Sequence, residues 1–210
     1  MSKIYKTGRI REVNSQRILE AAEMEFVKHG YKGTSMQAVA DQAKLPKANV
    51  LYYFKSKSAL YTAVLHDIIE RWNSAVARMS EDDDPKETLE RYIRDKVDLA
   101  IAQPNASKIF AMEIIQGAPH LQAHLCGDVR HWFKEKVRII ECWIAQGKMK
   151  AVNAEHLIFM IWSTTQHYAD FETQILTVTS KRGYDSAEVE RIKEFLCTMI
   201  LGGCGLLEAS

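Results

Sequence analysis

The stretch GYKGTSMQAVADQAKLPKANVLYYFKSKSALY, residues 30–61, contains closely spaced helix starts and stops that decide the fold. Ahead of it, QRILEAAEMEFVKHG has an apolar stripe at helical spacing and predicts a first helix over about residues 15–30, whose final glycine suits a left-handed end. TSMQ at 34–37 then resembles a capping box, with the hydroxyl of Thr34 as the cap and Gln37 reaching back.

A tight turn is predicted in the middle of this stretch. AKL at 43–45 forms the turn, and Pro46 suits the first position of the helix that follows, PKANVLYYF. Two short helices joined by a tight turn and supported by a preceding helix form a helix-turn-helix. We therefore predict an N-terminal three-helix DNA-binding domain over residues 1–60.

The second helix of such a motif enters the major groove with its N-terminal residues facing base edges. Here these residues are Lys47, Ala48 and Asn49. Lysine can donate to guanine, asparagine can pair with adenine, and alanine allows close approach or contact with a thymine methyl. Tyr52 and Tyr53 follow, and we expect one hydroxyl to bond a phosphate while the other ring packs on the core.

Further phosphate contacts are predicted around the motif. Lys57, Thr34 and Ser35 stand at predicted helix N-termini, which favour anions. The N-terminal segment is predicted to be a flexible arm that tracks the phosphate backbone or enters a minor groove. The basic residues of this arm are Lys3, Lys6, Arg9 and Arg11.

The charge distribution separates the motif from the rest of the chain. Residues 1–60 contain 11 Lys or Arg against 5 Asp or Glu, and the remaining residues contain 17 against 22. A basic module able to approach an acidic polymer therefore precedes an acidic body. Charge alone does not show whether the acidic partner is nucleic acid or an anionic membrane.

Composition argues against several classes of protein. Hydrophobic residues make up 47% and charged residues 26%, as in ordinary globular proteins, and the apolar run 157–162 is far shorter than the roughly 20 residues that span a bilayer. We expect a cytoplasmic protein with free thiols, because the four cysteines form no CxxC and no secretory signal is evident. No glycine-rich phosphate loop or nucleophile elbow is present, so we expect neither an enzyme nor a cofactor.

Helical periodicity dominates the remaining chain, which is predicted to be an all-α body over residues 61–210, with about nine helices in the whole chain. A helix over 58–79 is predicted to end at the acidic breaker EDDDP. Five further helices are predicted at about 86–103, 106–116, 120–146, 153–180 and 185–201. The apolar stripe of the last helix fits a dimer seam and an internal core equally well.

The stretch 30–61, especially GTSMQAVADQA and LYYFKSKSAL, resembles the N-terminal domain of the TetR family of transcriptional regulators. The resemblance implies a homodimer that binds a double-stranded operator, with an all-helical body that binds a small molecule and dimerises through its last two helices. Two residues depart from the family pattern: Lys44 stands where glycine is usual, and Pro46 stands where Ser or Thr usually caps the recognition helix.

Four segments resemble the pyrimidine-responsive members of this family more specifically. They are LYYFKSKSALYTAVL (51–65), RYIRDKVDLA (91–100), EIIQGAPHL (113–121) and HLIFMIWSTTQHYADF (156–171). This likeness implies a regulator, in the first instance a repressor, whose DNA affinity is altered by a small planar heterocycle such as uracil or thymine.

The last of these segments places polar side chains among apolar ones. Trp162 and Gln166 are four residues apart and therefore adjacent on a helix, so a flat heterocycle can lie on the indole while the amide matches an imide edge. Ser163 lies on the same side. The alternative is that Gln166 is a structural amide satisfied within the protein.

A second polar intruder is Lys96, a cation in the apolar stripe of its helix that suits a carbonyl oxygen or a carboxylate of the ligand. Its alternative is to extend its ammonium to solvent. Trp72, on the helix that leads out of the DNA-binding domain, is predicted to form a wall of the pocket. Asn73 follows it and is a further candidate.

Two rival hypotheses remain. His120 and His124 are four residues apart and, with Cys126 and His131, are the strongest candidates for a metal site. The second rival keeps the regulator scaffold but replaces the pyrimidine with a hydrophobic drug or an acyl chain, whose pockets are large and mostly apolar.

Overall fold

A computed structural model describes the backbone of residues 2–74 and 79–207 and the side chains of 11–73 and 79–207. Within these residues the chain forms helices, turns and loops and no strand, which confirms the all-α prediction. Two compact units are present: Met1–Glu70 with Lys108–Gln122, and Arg71–Ser107 with Ala123–Ser210. None of the described helices is long and apolar enough to cross a membrane.

The first unit is built on α1 (Ser2–Gly33), α2 (Met36–Gln42), α3 (Lys47–Tyr53) and the first part of α4 (Lys57–Ser74). Gly30 interrupts α1 with φ 66° and ψ 173°, as the glycine at the predicted helix end requires. The prediction of a flexible arm is wrong, because α1 begins at Ser2 instead of near residue 15. Lys, Arg and Glu favour helices, and no proline precedes Pro46.

The start of α2 differs by one residue from the predicted capping box. Ser35 is the N-cap, and its Oγ accepts a hydrogen bond from the N–H of Ala38 at 3.1 Å. The Thr34 hydroxyl instead donates to the carbonyl oxygens of Gly30 at 2.9 Å and Glu25 at 3.0 Å. Thr34 therefore ties α2 to the end of α1 and does not cap α2.

The turn between α2 and α3 contains the two residues that depart from the family pattern. Lys44 has φ 51°, a left-handed conformation in which glycine is unstrained and a lysine is not. Pro46 precedes the helix with φ −57° and ψ 139°, so that it is the N-cap of α3 and not its first residue. It contributes no side-chain cap, since a proline side chain has no acceptor.

The second unit contains α5 (Pro85–Ala102), α8 (Arg130–Ala145), α9 (Ala154–Asp170), α10 (Glu172–Val178) and α11 (Ser186–Gly203). Most of α6 (Pro104–Ile115) belongs to the first unit, whose second segment ends at Gln122, the first residue of the short α7 (Gln122–His124). A π-helical segment, Leu125–Val129, joins α7 to α8. The described residues thus form eleven α-helices where about nine are predicted.

Two interruptions explain the difference. The predicted helix 120–146 changes hydrogen-bond pattern at the π-helical segment, and the predicted helix 153–180 breaks at Phe171, with φ −113° and ψ 23°. Neither place has a proline or a positive-φ glycine, so nothing in the sequence marked it. The end of the predicted helix 58–79 lies partly outside the described residues, since α4 is described to Ser74 and residues 75–78 are not.

The core of the second unit lies where α5 meets α9 and α11. Its fully buried members include Leu89, Ile93, Val97, Ile161 and Trp143. Most of the predicted inward face of α5 is therefore apolar, and this makes the burial of Lys96 on the same face notable.

The acidic turn before α5 is fastened to α8 through Glu81. The Glu81 carbonyl oxygen accepts from Trp143 Nε1 at 3.2 Å and from Lys148 Nζ at 3.0 Å. The Glu81 carboxylate accepts from Arg138 Nη1 and from Cys142 Sγ, and the Arg138 guanidinium holds the pKa of this carboxyl below its ordinary value. This segment is predicted to be a breaker, and in the structure it is also an anchored turn.

Candidate functional site

The first turn of α3 presents the three residues predicted to face bases. Lys47, Ala48 and Asn49 are exposed, while Val50 is completely buried beneath them. The buried valine fixes the rotation of this short helix. Its exposed first turn is therefore available to a DNA groove.

The two tyrosines of α3 have different environments. Tyr52 is 64% exposed, and the ammonium of Lys55 lies 5.5 Å from its ring centroid. The hydroxyl of Tyr53 accepts a hydrogen bond from Asn14 Nδ2 at 3.4 Å, which ties it to α1. Of the pair, Tyr52 is the more exposed, and Tyr53 is the one held against α1.

Two of the residues predicted to bind phosphate are engaged within the protein. The Lys57 ammonium donates to the carbonyl oxygens of Tyr31 at 2.8 Å, Thr34 at 2.9 Å and Lys32 at 3.3 Å, and lies 4.8 Å from the Tyr31 ring centroid. Thr34 is 3% exposed, and its hydroxyl is used as described above. The phosphate role of Lys57 and Thr34 is therefore corrected to a structural one, since three carbonyls saturate this ammonium.

The remaining predicted phosphate contacts are placed as follows. Ser35 is exposed, although its Oγ caps α2. Arg11 is exposed on α1. The side chains of Lys3, Lys6 and Arg9 lie outside the described residues.

In the second unit Lys96 is a buried cation, only 5% exposed. Its ammonium lies 4.6 Å from the ring centroid of Trp72 and forms no hydrogen bond with the described residues. Burial lowers the pKa of Lys96 to about 8, against an opposing effect of the Asp170 carboxylate. Asp170 in turn accepts a hydrogen bond from Ser107 Oγ at 2.5 Å. A buried ammonium with unused donors suits a ligand that brings acceptor oxygens.

The indole of Trp162 is fixed by α5 and α8. Its Nε1 donates to the Tyr92 hydroxyl at 2.6 Å, and Tyr92 lies one turn before Lys96 on α5. Trp132 of α8 stacks on it with 6.0 Å between ring centroids and 26° between planes. One face of Trp162 is therefore covered by another indole, so that Trp162 belongs to an aromatic wall and is not an isolated platform.

Gln166 follows Trp162 by one helical turn and is half-buried. Its amide forms no hydrogen bond with the described residues, so it is not a structural amide satisfied by them. Asn73 and Trp72 are also half-buried.

Ser163 is not part of this arrangement. It is exposed, and its hydroxyl donates to the carbonyl oxygen of Met160 at 3.1 Å. Thr165, fully buried, bonds back to Ile161 in the same manner at 2.7 Å. The predicted ligand role of Ser163 is thus corrected: a Ser or Thr hydroxyl on a helix can bond a carbonyl three or four residues earlier, and that of Ser163 does so.

Trp132 is the member of this aromatic wall that the sequence does not mark. It lies in the run RHWFKEK, and the periodicity of this run does not indicate whether the indole contacts a ligand or packs in the core. The bond between Tyr92 and Trp162 depends on the approach of α5 to α9, which the sequence does not show.

The candidate metal ligands are dispersed. The backbone N–H of His120 donates to Glu113 Oε1 at 2.6 Å, and its Nδ1 lies 3.4 Å from Glu113 Oε2. His124 Nδ1 lies 3.3 Å from Asp128, and Cys126 is exposed. Across residues 11–73 and 79–207, three or more His, Cys, Asp or Glu side chains nowhere come together in a metal-binding group.

Comparisons with known proteins agree with this organisation. A family model described as bacterial regulatory proteins, tetR family, matches residues 18–64, and one described as YcdC-like protein, C-terminal region, matches residues 65–207. The HTH-type transcriptional regulator RutR of Escherichia coli K12 is 38% identical over 198 residues, covering 94% of this chain and 93% of that protein. The HTH-type transcriptional repressor NicS of Pseudomonas putida is 28% identical over 172 residues, covering 78% and 80%.

A solved structure shows the same fold at low identity. The ketosteroid transcriptional regulator KstR2 of Mycobacterium tuberculosis superposes with a TM-score of 0.71 at 16% identity, over 90% of this chain and 93% of that chain.

Proposed function

Because this chain belongs to the TetR family of bacterial regulatory proteins, we propose that its effector is a pyrimidine such as uracil or thymine. The protein is a ligand-responsive transcriptional regulator and not an enzyme. Regulators of this family bind operator DNA and small-molecule effectors as dimers. For this chain we assign residues 1–60 to DNA binding and 61–210 to effector binding and dimerisation, in a cytoplasmic homodimer.

The observation that carries the pyrimidine proposal is the buried ammonium of Lys96. Its hydrogen-bonding capacity is unused among the described residues, and the desolvation of its charge lowers its pKa to about 8. A ring carbonyl oxygen can accept from such a donor, and a planar ring can stack on an indole such as that of Trp72 or Trp162. The Gln166 amide offers a donor and an acceptor to the imide edge.

On the DNA side we propose that Lys47, Ala48 and Asn49 contact bases. Tyr52, Ser35, Arg9 and Arg11 contact phosphates or the minor groove in this proposal. A two-fold dimer then recognises a two-fold operator.

A thermal-shift titration with uracil and thymine tests the effector. A ligand that binds only the folded state stabilises it by about 2.7 kcal/mol at a hundred times its Kd, or roughly 5–10 °C for a chain of this size. Gln166→Ala is expected to abolish most of this shift. Gln174→Ala, at an exposed glutamine of α10, is the matched control and is expected to retain it.

Two outcomes contradict the proposal. If neither pyrimidine shifts the melting temperature at millimolar concentration, the pyrimidine assignment fails. A shift obtained only with long-chain acyl ligands or hydrophobic drugs supports the rival effector class instead.

A further inference from the structure

The indole N–H of Trp132 is a buried donor without an acceptor. Its Nε1 is inaccessible to solvent and forms no hydrogen bond within the part of the chain that the structure describes. The large majority of buried polar atoms in folded proteins are hydrogen-bonded, and each exception calls for an explanation.

Other indoles of this unit satisfy the rule. Trp143, eleven residues further along α8, donates to the Glu81 carbonyl at 3.2 Å, and Trp162 donates to the Tyr92 hydroxyl at 2.6 Å. The unused donor of Trp132 is therefore specific to its position and not a general property of α8.

The position of Trp132 connects it to the proposed effector site. Its ring stacks on Trp162, whose next turn carries Gln166, and Tyr92 bonds Trp162 one turn before Lys96. The π-helical segment Leu125–Val129 ends three residues before Trp132. Such segments occur frequently at functional sites.

We propose that the Trp132 indole N–H donates a hydrogen bond to one of the two ring carbonyls of the effector. This inference rests on the proposed pyrimidine function and identifies a specificity-determining residue for it. A pyrimidine-2,4-dione carries two carbonyl acceptors and two ring N–H donors. Lys96 and Trp132 supply one donor for each carbonyl, and the Gln166 side-chain oxygen accepts from a ring N–H.

The test is calorimetric titration of uracil, pyrimidin-2-one and pyrimidin-4-one into the wild-type protein and Trp132→Phe. The phenylalanine removes the N–H but keeps an aromatic ring against Trp162. Loss of one buried hydrogen bond is expected to weaken uracil binding about 10- to 100-fold. The analogue that lacks the carbonyl bound by Trp132 binds the wild type weakly and is expected to lose nothing further in the variant.

Two matched replacements separate this role from packing. Benzothienylalanine at position 132 has sulfur in place of the N–H with the same ring shape, and is expected to reproduce the loss of uracil affinity. Trp143→Phe removes an N–H that already has an acceptor, so it is expected to lower the melting temperature while leaving the uracil Kd within about twofold.

Each other outcome counts against the inference. Unchanged uracil affinity in both position-132 variants overturns it and leaves the pyrimidine proposal intact. Equal weakening of uracil and both analogues also overturns it, since the change is then one of packing. Failure of the wild type to bind uracil or thymine overturns the proposed function and this inference together.

Discussion

Replacing Lys96 with methionine removes a buried charge while preserving most of the side-chain volume. Burial lowers the pKa of Lys96 from 10.5 to about 8. Each pKa unit corresponds to about 1.4 kcal/mol, so the charged form costs the folded state about 3 kcal/mol at neutral pH. Loss of the cation–π contact with Trp72 offsets about 1 kcal/mol of this. The effector-free Lys96→Met protein is therefore expected to be more stable by about 2 kcal/mol.

The pH dependence gives an independent check with a defined sign. Because the pKa is lower in the folded state, the unfolded state binds more protons between about pH 8 and about pH 10.5. Wild-type stability relative to the variant is expected to rise with pH across this window and to be constant below it. Urea unfolding of both proteins at a series of pH values measures the difference, in which the titration of other groups cancels.

Uracil is expected to reduce the stability advantage of Lys96→Met over the wild type. It binds the wild-type ammonium and should bind Lys96→Met at least tenfold more weakly, by about 1.4 kcal/mol or more. Lys86→Met, at an exposed lysine of the same helix, is the control and should change stability by less than about 0.5 kcal/mol. The reasoning is refuted if Lys96→Met is less stable than the wild type without effector and the difference between them does not vary with pH.

Three further outcomes are expected. The Kd for uracil should be constant below about pH 8 and rise above it, because the effector favours the charged form of Lys96, whose pKa in the free protein is about 8. Isothermal titration across this pH range measures the Kd, and a Kd that does not vary with pH contradicts the prediction. Asn49→Ala should weaken binding to the operator more than to random duplex in a competition assay, and equal losses would count against base contact. Lys57→Ala should destabilise the protein by about 1–3 kcal/mol in urea unfolding, because three carbonyls lose their donor. Lys55→Ala is the control and should have little effect on stability. A Lys57→Ala protein that keeps its stability but binds DNA more weakly would restore the phosphate role of Lys57.

Much of the fold followed from local patterns. Apolar periodicity and the turn before Pro46 predicted the helix-turn-helix, and these signals depend only on neighbouring residues. Single-residue assignments were less secure. Thr34 and Ser35 are equally good caps by residue type, and only the approach of α1, which offers the carbonyl of Glu25, assigns the cap to Ser35.

The candidate site could be predicted where a polar or charged side chain occupies a position that the helical pattern marks as buried. Lys96 stands among apolar residues, and its polarity alone marked it. Lys57 shows the opposite case, because its three carbonyl partners come from residues 23 to 26 positions earlier in the chain. Ser163 and Trp132 depend on which face of a helix meets a neighbour, and a helical wheel does not determine this when both faces carry apolar side chains.

The tether on Glu81 has a practical consequence for protein engineering. In the sequence, the acidic turn at 80–84 looks like the natural position to open the chain for a fused reporter or a circular permutation. An insertion there would draw Glu81 away from donors on α8 and the loop after it. The exposed tip at 179–183, where Ser180 adopts φ 55° and a side chain added at Gly183 would meet nothing within 4 Å, is the better position to cut and extend the chain.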